Sequence, residues 1–160
     1  MLRDRLRRRI PLRNVCVRLK FKRLTIRDYD ALVRLWSRAG LPFKPKVRDS
    51  RTAIGVQMRA NPHYFVGAYE DERLVGAVMV SSDLRKGWIN RLAVDPDFRR
   101  RGVALALIRE AEHVLKADGI KIFCAQIEVD NVVSMEVFRK AGYVEHNDIV
   151  YFSKRESADI

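Results

Sequence analysis

The fold is decided by an eleven-residue stretch, Val94-Asp95-Pro96-Asp97-Phe98-Arg99-Arg100-Arg101-Gly102-Val103-Ala104. It joins the end of a predicted buried strand to the start of a predicted helix. Gly102 and Ala104 are small residues at the helix start, where they let a ligand approach the backbone closely. The N–H groups of a first helical turn have no partners inside the helix and lie at the positive end of its dipole, so phosphate is their natural ligand. Arg99, Arg100 and Arg101 add charge that can pair with phosphate oxygens. The stretch therefore predicts a phosphate-binding site, with a solvated basic loop as the alternative.

Upstream of this stretch, the pattern predicts four strands and two helices. Alternating apolar and charged residues predict a half-exposed strand over residues 15–22. Thr25 and Asp28 form a capping pair for the first helix, which Gly40 ends. The remaining upstream elements are a helix from residue 49 or 50 to 60, a hairpin of strands 63–70 and 73–81, and a strand over 88–94.

Downstream of it, helices and strands alternate. The predicted elements are a helix over 101–117, a strand over 120–129, a helix over 131–141, and a final hairpin of strands 143–145 and 149–153. Antiparallel hairpins thus flank a central strand–helix–strand unit, which is typical of a mixed α/β domain. We expect a twisted, mostly antiparallel sheet of six to seven strands with about four helices.

The charge of the chain is concentrated at its start. Residues 1–23 contain ten Arg or Lys and one acid, so they carry +9 of the net charge of +12. We expect residues 1–14 to be a mobile basic arm, residues 15–155 to be one domain, and residues 156–160 to be a tail. Either the arm is only solvated, or residues 1–23 contact ribosome, nucleic acid or acidic lipid.

Composition also excludes some classes of protein. The longest apolar run, residues 74–80, is far shorter than the roughly 20 residues that a membrane-spanning helix needs. Cys16 and Cys124 have no Cys or His at ligand spacing, so neither a disulfide scaffold nor a zinc site is expected. We expect a cytoplasmic protein without a metal.

Residues 90–104 and 131–143 resemble two motifs of the GNAT superfamily of acetyltransferases. Arg99, Gly102 and Ala104 occupy the positions of its Arg/Gln-x-x-Gly-x-Gly/Ala signature. The segment that begins at Asn131 and ends at Gly142-Tyr143 is similar to its second coenzyme A-contacting motif. The resemblance implies an enzyme that transfers an acetyl group from acetyl-CoA to a primary amine by direct attack in a ternary complex.

The resemblance also implies where acetyl-CoA binds. Backbone groups of Leu92, Ala93 and Val94 would pair with the pantetheine amides and polarise the thioester carbonyl. Asn131, Ser134 and Phe138 would line the other side of the pantetheine arm. The residues whose backbone amides would hold the pyrophosphate are Arg99, Arg100, Arg101, Gly102, Val103 and Ala104.

The sequence departs from the family pattern at the positions that handle protons. Many members have Tyr at the position of Phe138, and its hydroxyl protonates the departing thiolate. Water, Tyr143 or Tyr151 would have to replace it here. Family glutamates on the fourth and fifth strands correspond to Trp88 and Gln126, so we take Glu128, two residues beyond Gln126, as the candidate general base.

The acceptor is less defined than the cosubstrate. The first helix, the loop 41–50 and the final hairpin are expected to form its site. Lys44, Lys46 and Arg48 favour an acidic or carboxylate-bearing acceptor, although flexible surface lysines would give the same pattern. Two other functions stay open: a regulatory module that binds acyl-CoA with little catalysis, and a ribosome- or nucleic-acid-associated protein. A homodimer could form through the edge of the final hairpin.

Overall fold

The computed structural model describes residues 18–157, so the basic arm and Cys16 lie outside the described residues. The helices and strands are β1 (Leu19–Arg23), α1 (Tyr29–Ala39), α2 (Arg51–Ala60), β2 (Phe65–Glu70), β3 (Arg73–Ser82), β4 (Gly87–Val94), α3 (Val103–Ala117), β5 (Phe123–Cys124) and α4 (Val132–Lys140). Short 3₁₀ turns, Ile26–Asp28 and Pro96–Phe98, precede α1 and follow β4.

One sheet of five strands runs in the order β1-β2-β3-β4-β5. The first three pairings are antiparallel, and β4 and β5 are parallel. The mixed α/β fold and the four helices are confirmed. The expected six to seven strands are wrong for the described residues, which form five.

Two helical layers cover the sheet. On one face α3 packs very close to the sheet. A Cβ added to Gly76 would lie only 2.8 Å from Leu107, and one added to Gly87 would lie 2.5 Å from Leu115. On the other face α1 contributes Leu32, Leu35 and Trp36, all of them buried. The core therefore lies on both sides of β3 and β4, the strands that lead to the stretch 94–104.

The helix ends follow the capping residues read from the sequence. The Asp28 carboxylate accepts from the Thr25 backbone N–H at 2.8 Å and from its hydroxyl at 3.0 Å. Gly40 has φ 73°, the left-handed conformation that a helix-ending glycine adopts most easily. Ser50 caps α2 by accepting from the Ala53 N–H at 3.2 Å.

A β-bulge in β4 opens the sheet. Ala77 pairs with Ala93 but Met79 pairs with Asn90, so β4 contains one extra residue there. Arg91 takes up the bulge with φ 50°. The parallel pairing of β4 with β5 covers only two positions, the second of them Trp88↔Cys124, so it ends before the bulge. This is why the expected strand 120–129 is reduced to two residues.

The expected final hairpin is absent from the described residues. No strand occurs between residues 143 and 157, and Ile149, Val150, Tyr151 and Phe152 are exposed. A hairpin in water needs a neighbouring strand or a packed face to be stable. Since β5 is two residues long, it offers almost no edge for that hairpin to extend.

Candidate active site

A buried carboxylate fixes the segment between β4 and α3. Asp95 is 2% exposed and accepts two hydrogen bonds from Arg38 of α1, both at 3.0 Å. It also accepts from Arg73 of β3 at 2.9 Å and from the Asp97 backbone N–H at 3.1 Å. The hydrogen bond with Arg38 is the main reason why the pKa of Asp95 is lowered to about 2. Asp95 therefore holds α1, β3 and the start of the phosphate stretch together.

The start of α3 has the geometry of an anion site. Gly102 precedes the helix with φ 81°, and Arg100 also has a positive φ of 59°. The first hydrogen bond into the helix runs from the Ala106 N–H to the Gly102 carbonyl at 3.0 Å. The preceding N–H groups, from Gly102 to Leu105, therefore have no intrahelical acceptor. A Cβ on Gly102 would meet nothing within 4 Å, so the space beside this residue is open.

The three arginines before this helix have different surroundings. Arg99 donates to the Ala39 carbonyl at 2.9 Å and so holds the C-terminal end of α1. The Arg101 guanidinium lies 5.1 Å from the centre of the Phe98 ring. Arg100 is exposed and has no ion pair within residues 18–157. The charge at this site is therefore supplied most directly by Arg100 and Arg101.

The bulge leaves one edge of β4 open. The Asp95 N–H donates to the Val75 carbonyl of β3 at 2.9 Å. Because backbone groups of an antiparallel strand alternate in direction, those of Ala93 also point toward β3. Those of Leu92 and Val94 then point to the side where β5 has separated. Of the three residues expected to bind pantetheine, Leu92 and Val94 have free backbone groups on this open edge.

The opposite side of the gap is formed by α4. The Asn131 side chain accepts from the Ser134 N–H at 3.1 Å and so caps this helix. Phe138 is buried and packs edge-on against Tyr143, with ring centres 5.0 Å apart. The structure thus brings Asn131, Ser134 and Phe138 onto one short helix beside the open edge, with Asn131 already engaged as its cap.

Neither alternative tyrosine lies in a position suited to donate a proton. The Tyr143 hydroxyl donates to the Glu112 carboxylate at 3.1 Å. Burial raises the pKa of Tyr143, and the charge of Glu112 raises it further, which makes this phenol a weaker acid. Tyr151 is 69% exposed, in the segment that forms no strand.

Glu128 lies in the exposed segment between β5 and α4. Its carbonyl accepts from the Asn131 N–H at 2.9 Å, and the residue is exposed. The side chain of Gln126 is also exposed, whereas Trp88 is half-buried.

Sequence reasoning missed a second cluster, on the α1 face of the bulge. The Arg91 guanidinium lies 4.2 Å from the centre of the Trp36 ring and donates to the Pro42 carbonyl at 3.2 Å. It lies 3.5 Å from the buried Asp49 carboxylate, which also accepts from the Lys44 N–H at 2.7 Å. Burial lowers the pKa of Arg91, and Asp49 opposes this shift. A single sequence contains no signal for this bulge, because the residue with positive φ is not glycine.

Residues 18–157 were compared with the requirements of a membrane-spanning helix and of a metal site, and they meet neither. No helix in that range is long and apolar enough to cross a membrane. Nor does that range bring three or more His, Cys, Asp or Glu side chains together as a metal site.

The fold and the site define a protein of the acyl-CoA-binding α/β class, with an open strand edge that leads to an anion-binding helix. The chain belongs to the GNAT family of acetyltransferases, because the family model "Acetyltransferase (GNAT) family" matches residues 29–143. An acetyltransferase of Pectobacterium atrosepticum is 33% identical over 128 residues, which are 80% of this chain and 89% of the relative. The protein is therefore an acetyltransferase.

Two solved structures show the same fold. AAC(6')-Iy, solved with the bisubstrate analogue CoA-S-monomethyl-acetylneamine, has a TM-score of 0.72 at 20% identity. The alignment covers 86% of this chain and 98% of that chain. The PaiA N-acetyltransferase of Thermoplasma acidophilum, solved with coenzyme A, has a TM-score of 0.65 at 22% identity, with 76% and 87% covered.

Proposed function

We propose that this protein transfers the acetyl group of acetyl-CoA to a primary amine by direct attack in a ternary complex. The observation that carries the proposal is the continuity between the open edge of β4 and the free amides at the start of α3. An extended thioester with a pyrophosphate at one end needs both features in this order.

In this arrangement the pyrophosphate binds the amides between Arg99 and Ala104. The pantetheine arm extends along β4 and pairs with backbone groups of Leu92 and Val94, while the backbone of Ala93 stays in the sheet. Asn131, Ser134 and Phe138 of α4 cover the other side of the arm. A backbone N–H of the open edge then polarises the thioester carbonyl.

The reaction needs a neutral amine close to the thioester. The amine nitrogen attacks the carbonyl carbon, the C–S bond breaks, and Glu128 takes the proton of the amine, directly or through a water. Water protonates the departing thiolate, since Phe138 has no proton and the Tyr143 phenol donates to Glu112. Positioning then supplies a large part of the rate.

Three further features belong to the proposal. The protein acts in the cytoplasm, where acetyl-CoA and reduced thiols occur together. The basic arm, residues 1–14, assists contact with an anionic partner such as ribosome or nucleic acid, which predicts salt-sensitive binding that is lost on its deletion. Residues 143–153, which form no strand in the described chain, would pair with a second copy in a homodimer.

Gly102→Glu tests the phosphate site, and the chain offers a matched control. Gly102 and Gly119 lie at opposite ends of α3 with φ 81° and 80°, and a Cβ on either would meet nothing within 4 Å. The backbone strain of replacing them is therefore similar, at about 1–2 kcal/mol. Only Gly102→Glu places a carboxylate against the pyrophosphate.

We expect Gly102→Glu to weaken acetyl-CoA binding by about 100-fold or more in calorimetry, because like charges in contact cost several kcal/mol. Gly119→Glu should bind acetyl-CoA like the wild type. Equal affinity in the two variants would show that the phosphates bind elsewhere. Tight binding of acetyl-CoA without turnover on a broad panel of amines would instead identify a regulatory module.

A further inference from the structure

We infer that the amine acceptor is a small molecule that carries a carboxylate, which binds beside Arg91 and Arg48 on the α1 face of β4. This inference rests on the proposed acetyl transfer and specifies its acceptor. It is carried by the charge balance around Asp49 and by the side of the sheet from which the acceptor must approach.

The direction of approach follows from the fold. The pyrophosphate site lies at the start of α3, and α3 packs on one face of the sheet. The proposed arrangement places the nucleophile on the other face of the sheet, opposite α3. That face is formed by α1 and the loop 41–50, with Arg91 projecting onto Trp36.

The cluster around Asp49 has more positive charge than this one carboxylate neutralises. Arg48 and Arg91 both lie 3.5 Å from the one Asp49 carboxylate, which is buried. Two guanidinium groups therefore share one negative charge, and an additional anion would be favourable beside them. Because the Arg91 side chain is 17% exposed, its unbalanced charge is screened less than that of a surface residue.

The hydrogen bonding at this contact is also incomplete. Within residues 18–157, the Nε of Arg91 and the indole N–H of Trp36 are buried donors without an acceptor. Trp36 is 0% exposed and lies directly under the Arg91 guanidinium. Buried donors of this kind usually have a partner, so the hydrogen-bonding capacity of this contact is not fully used by the described residues.

A cavity of about 470 Å³ lies next to this cluster, lined by Lys44, Pro45, Lys46 and Val47. It is open to solvent, its four lining residues are exposed, and two of them are cationic. This charge opposes binding of polycationic amines. Although the fold is shared with an aminoglycoside acetyltransferase, we therefore expect a different class of acceptor.

The test compares matched pairs of acceptors: α-amino acids and their amides, with a polyamine as the cationic arm. The assay measures release of the CoA thiol. Because the amine of an amide has a lower pKa than that of the acid, each rate is divided by the concentration of neutral amine. We expect kcat/KM to favour the acid over its amide by about 10-fold or more, which corresponds to about 1.4 kcal/mol per tenfold.

Arg48→Gln should remove most of this preference while leaving the Arg91–Asp49 pair in place. Arg34→Gln, which removes one charge from the exposed side of α1, should leave it unchanged. The inference is wrong if acid and amide react equally, if the polyamine is preferred, or if Arg48→Gln keeps the wild-type preference.

A binding measurement separates this inference from the proposed reaction. The indole N–H signal of Trp36, assigned in Trp88→Phe, is followed in NMR titrations with the acids and amides, with and without CoA. We expect a saturable shift with acids that is at least about fivefold weaker with amides and in Arg48→Gln. Absence of that shift contradicts the inference, whereas a shift without turnover contradicts only the proposed acetyl transfer.

Discussion

The two walls of the gap beside β4 are held in place by different kinds of interaction. The junction wall, residues 87–107, pairs with β3 along most of its strand and is tied by Asp95 to α1 and β3. The α4 wall, residues 123–143, pairs with β4 at two positions, and its helix buries only Phe138. One wall is therefore fixed by fully buried contacts, and the other by a short pairing, by Phe138 and by half-buried apolar side chains.

This difference indicates how the cosubstrate binds. The amides and the open edge of the junction wall are already arranged by the protein, so binding there costs little ordering. On the α4 wall, Val132 and Val133 are exposed, as is the segment after Tyr143. We expect acetyl-CoA to bind the junction wall in its existing geometry and to stabilise the α4 wall by bridging the two.

The largest expected effect comes from the carboxylate that fixes the junction wall. Asp95→Asn weakens hydrogen bonds to two arginines in a buried site, so we expect a loss of about 2–4 kcal/mol in the free energy of unfolding. Asp97→Asn is the matched control, because Asp97 pairs with the same arginines but is 62% exposed. It should cost at most about 1 kcal/mol. Equal losses in urea denaturation would show that burial of Asp95 is not what matters.

We also expect the Asp95 carboxylate to make the free energy of unfolding depend on pH. Its pKa in the folded protein is about 2, below the unfolded value, so its contribution is present above about pH 4 and lost as the pH falls toward 2. This contribution is about 2 kcal/mol. The wild type should lose that amount of stability over this interval, and Asp95→Asn should lose less. Parallel acid curves for the two proteins would contradict the assignment.

The junction wall could be predicted from the sequence to a greater extent than the α4 wall. Gly102 in this wall, like Gly40 and the pair Thr25–Asp28 elsewhere in the chain, acts within a few residues, and local patterns describe such contacts well. The contact of Asp95 with Arg38 joins residues 57 positions apart, and no local pattern contains it.

The prediction of a final hairpin was wrong for a related reason. Residues 149–153 do have the apolar composition of a strand, but a strand exists only where an edge is available to pair with it. The pairing of β4 with β5 ends at Trp88↔Cys124, before the bulge at Arg91, and leaves almost no edge for the hairpin. At the bulge, the Arg91 side chain packs on Trp36 and pairs with Asp49. These contacts join residues far apart in the chain, so the sequence does not reveal them.

A smaller effect is expected from the candidate base on the α4 wall. Glu128→Gln should reduce kcat by about 10- to 100-fold near neutral pH, where the amine is mostly protonated. The loss should shrink as the pH rises and the amine becomes neutral without help. Glu136→Gln, which removes an exposed acid of α4 itself, serves as the control and should keep wild-type turnover. An unchanged pH profile in Glu128→Gln would remove Glu128 from the mechanism.

The smallest effect is expected at Tyr143, which joins the α4 wall to Glu112 of α3. Tyr143→Phe removes one hydrogen bond and should cost about 1 kcal/mol of stability. Because burial and Glu112 raise the pKa of this phenol, it is poorly suited to protonate a thiolate, and kcat should stay within about twofold of the wild type. Tyr151→Phe should change neither stability nor turnover. A tenfold loss of kcat in Tyr143→Phe with unchanged acetyl-CoA affinity would identify Tyr143 as the acid that Phe138 cannot be, and would place a catalytic group on the α4 wall.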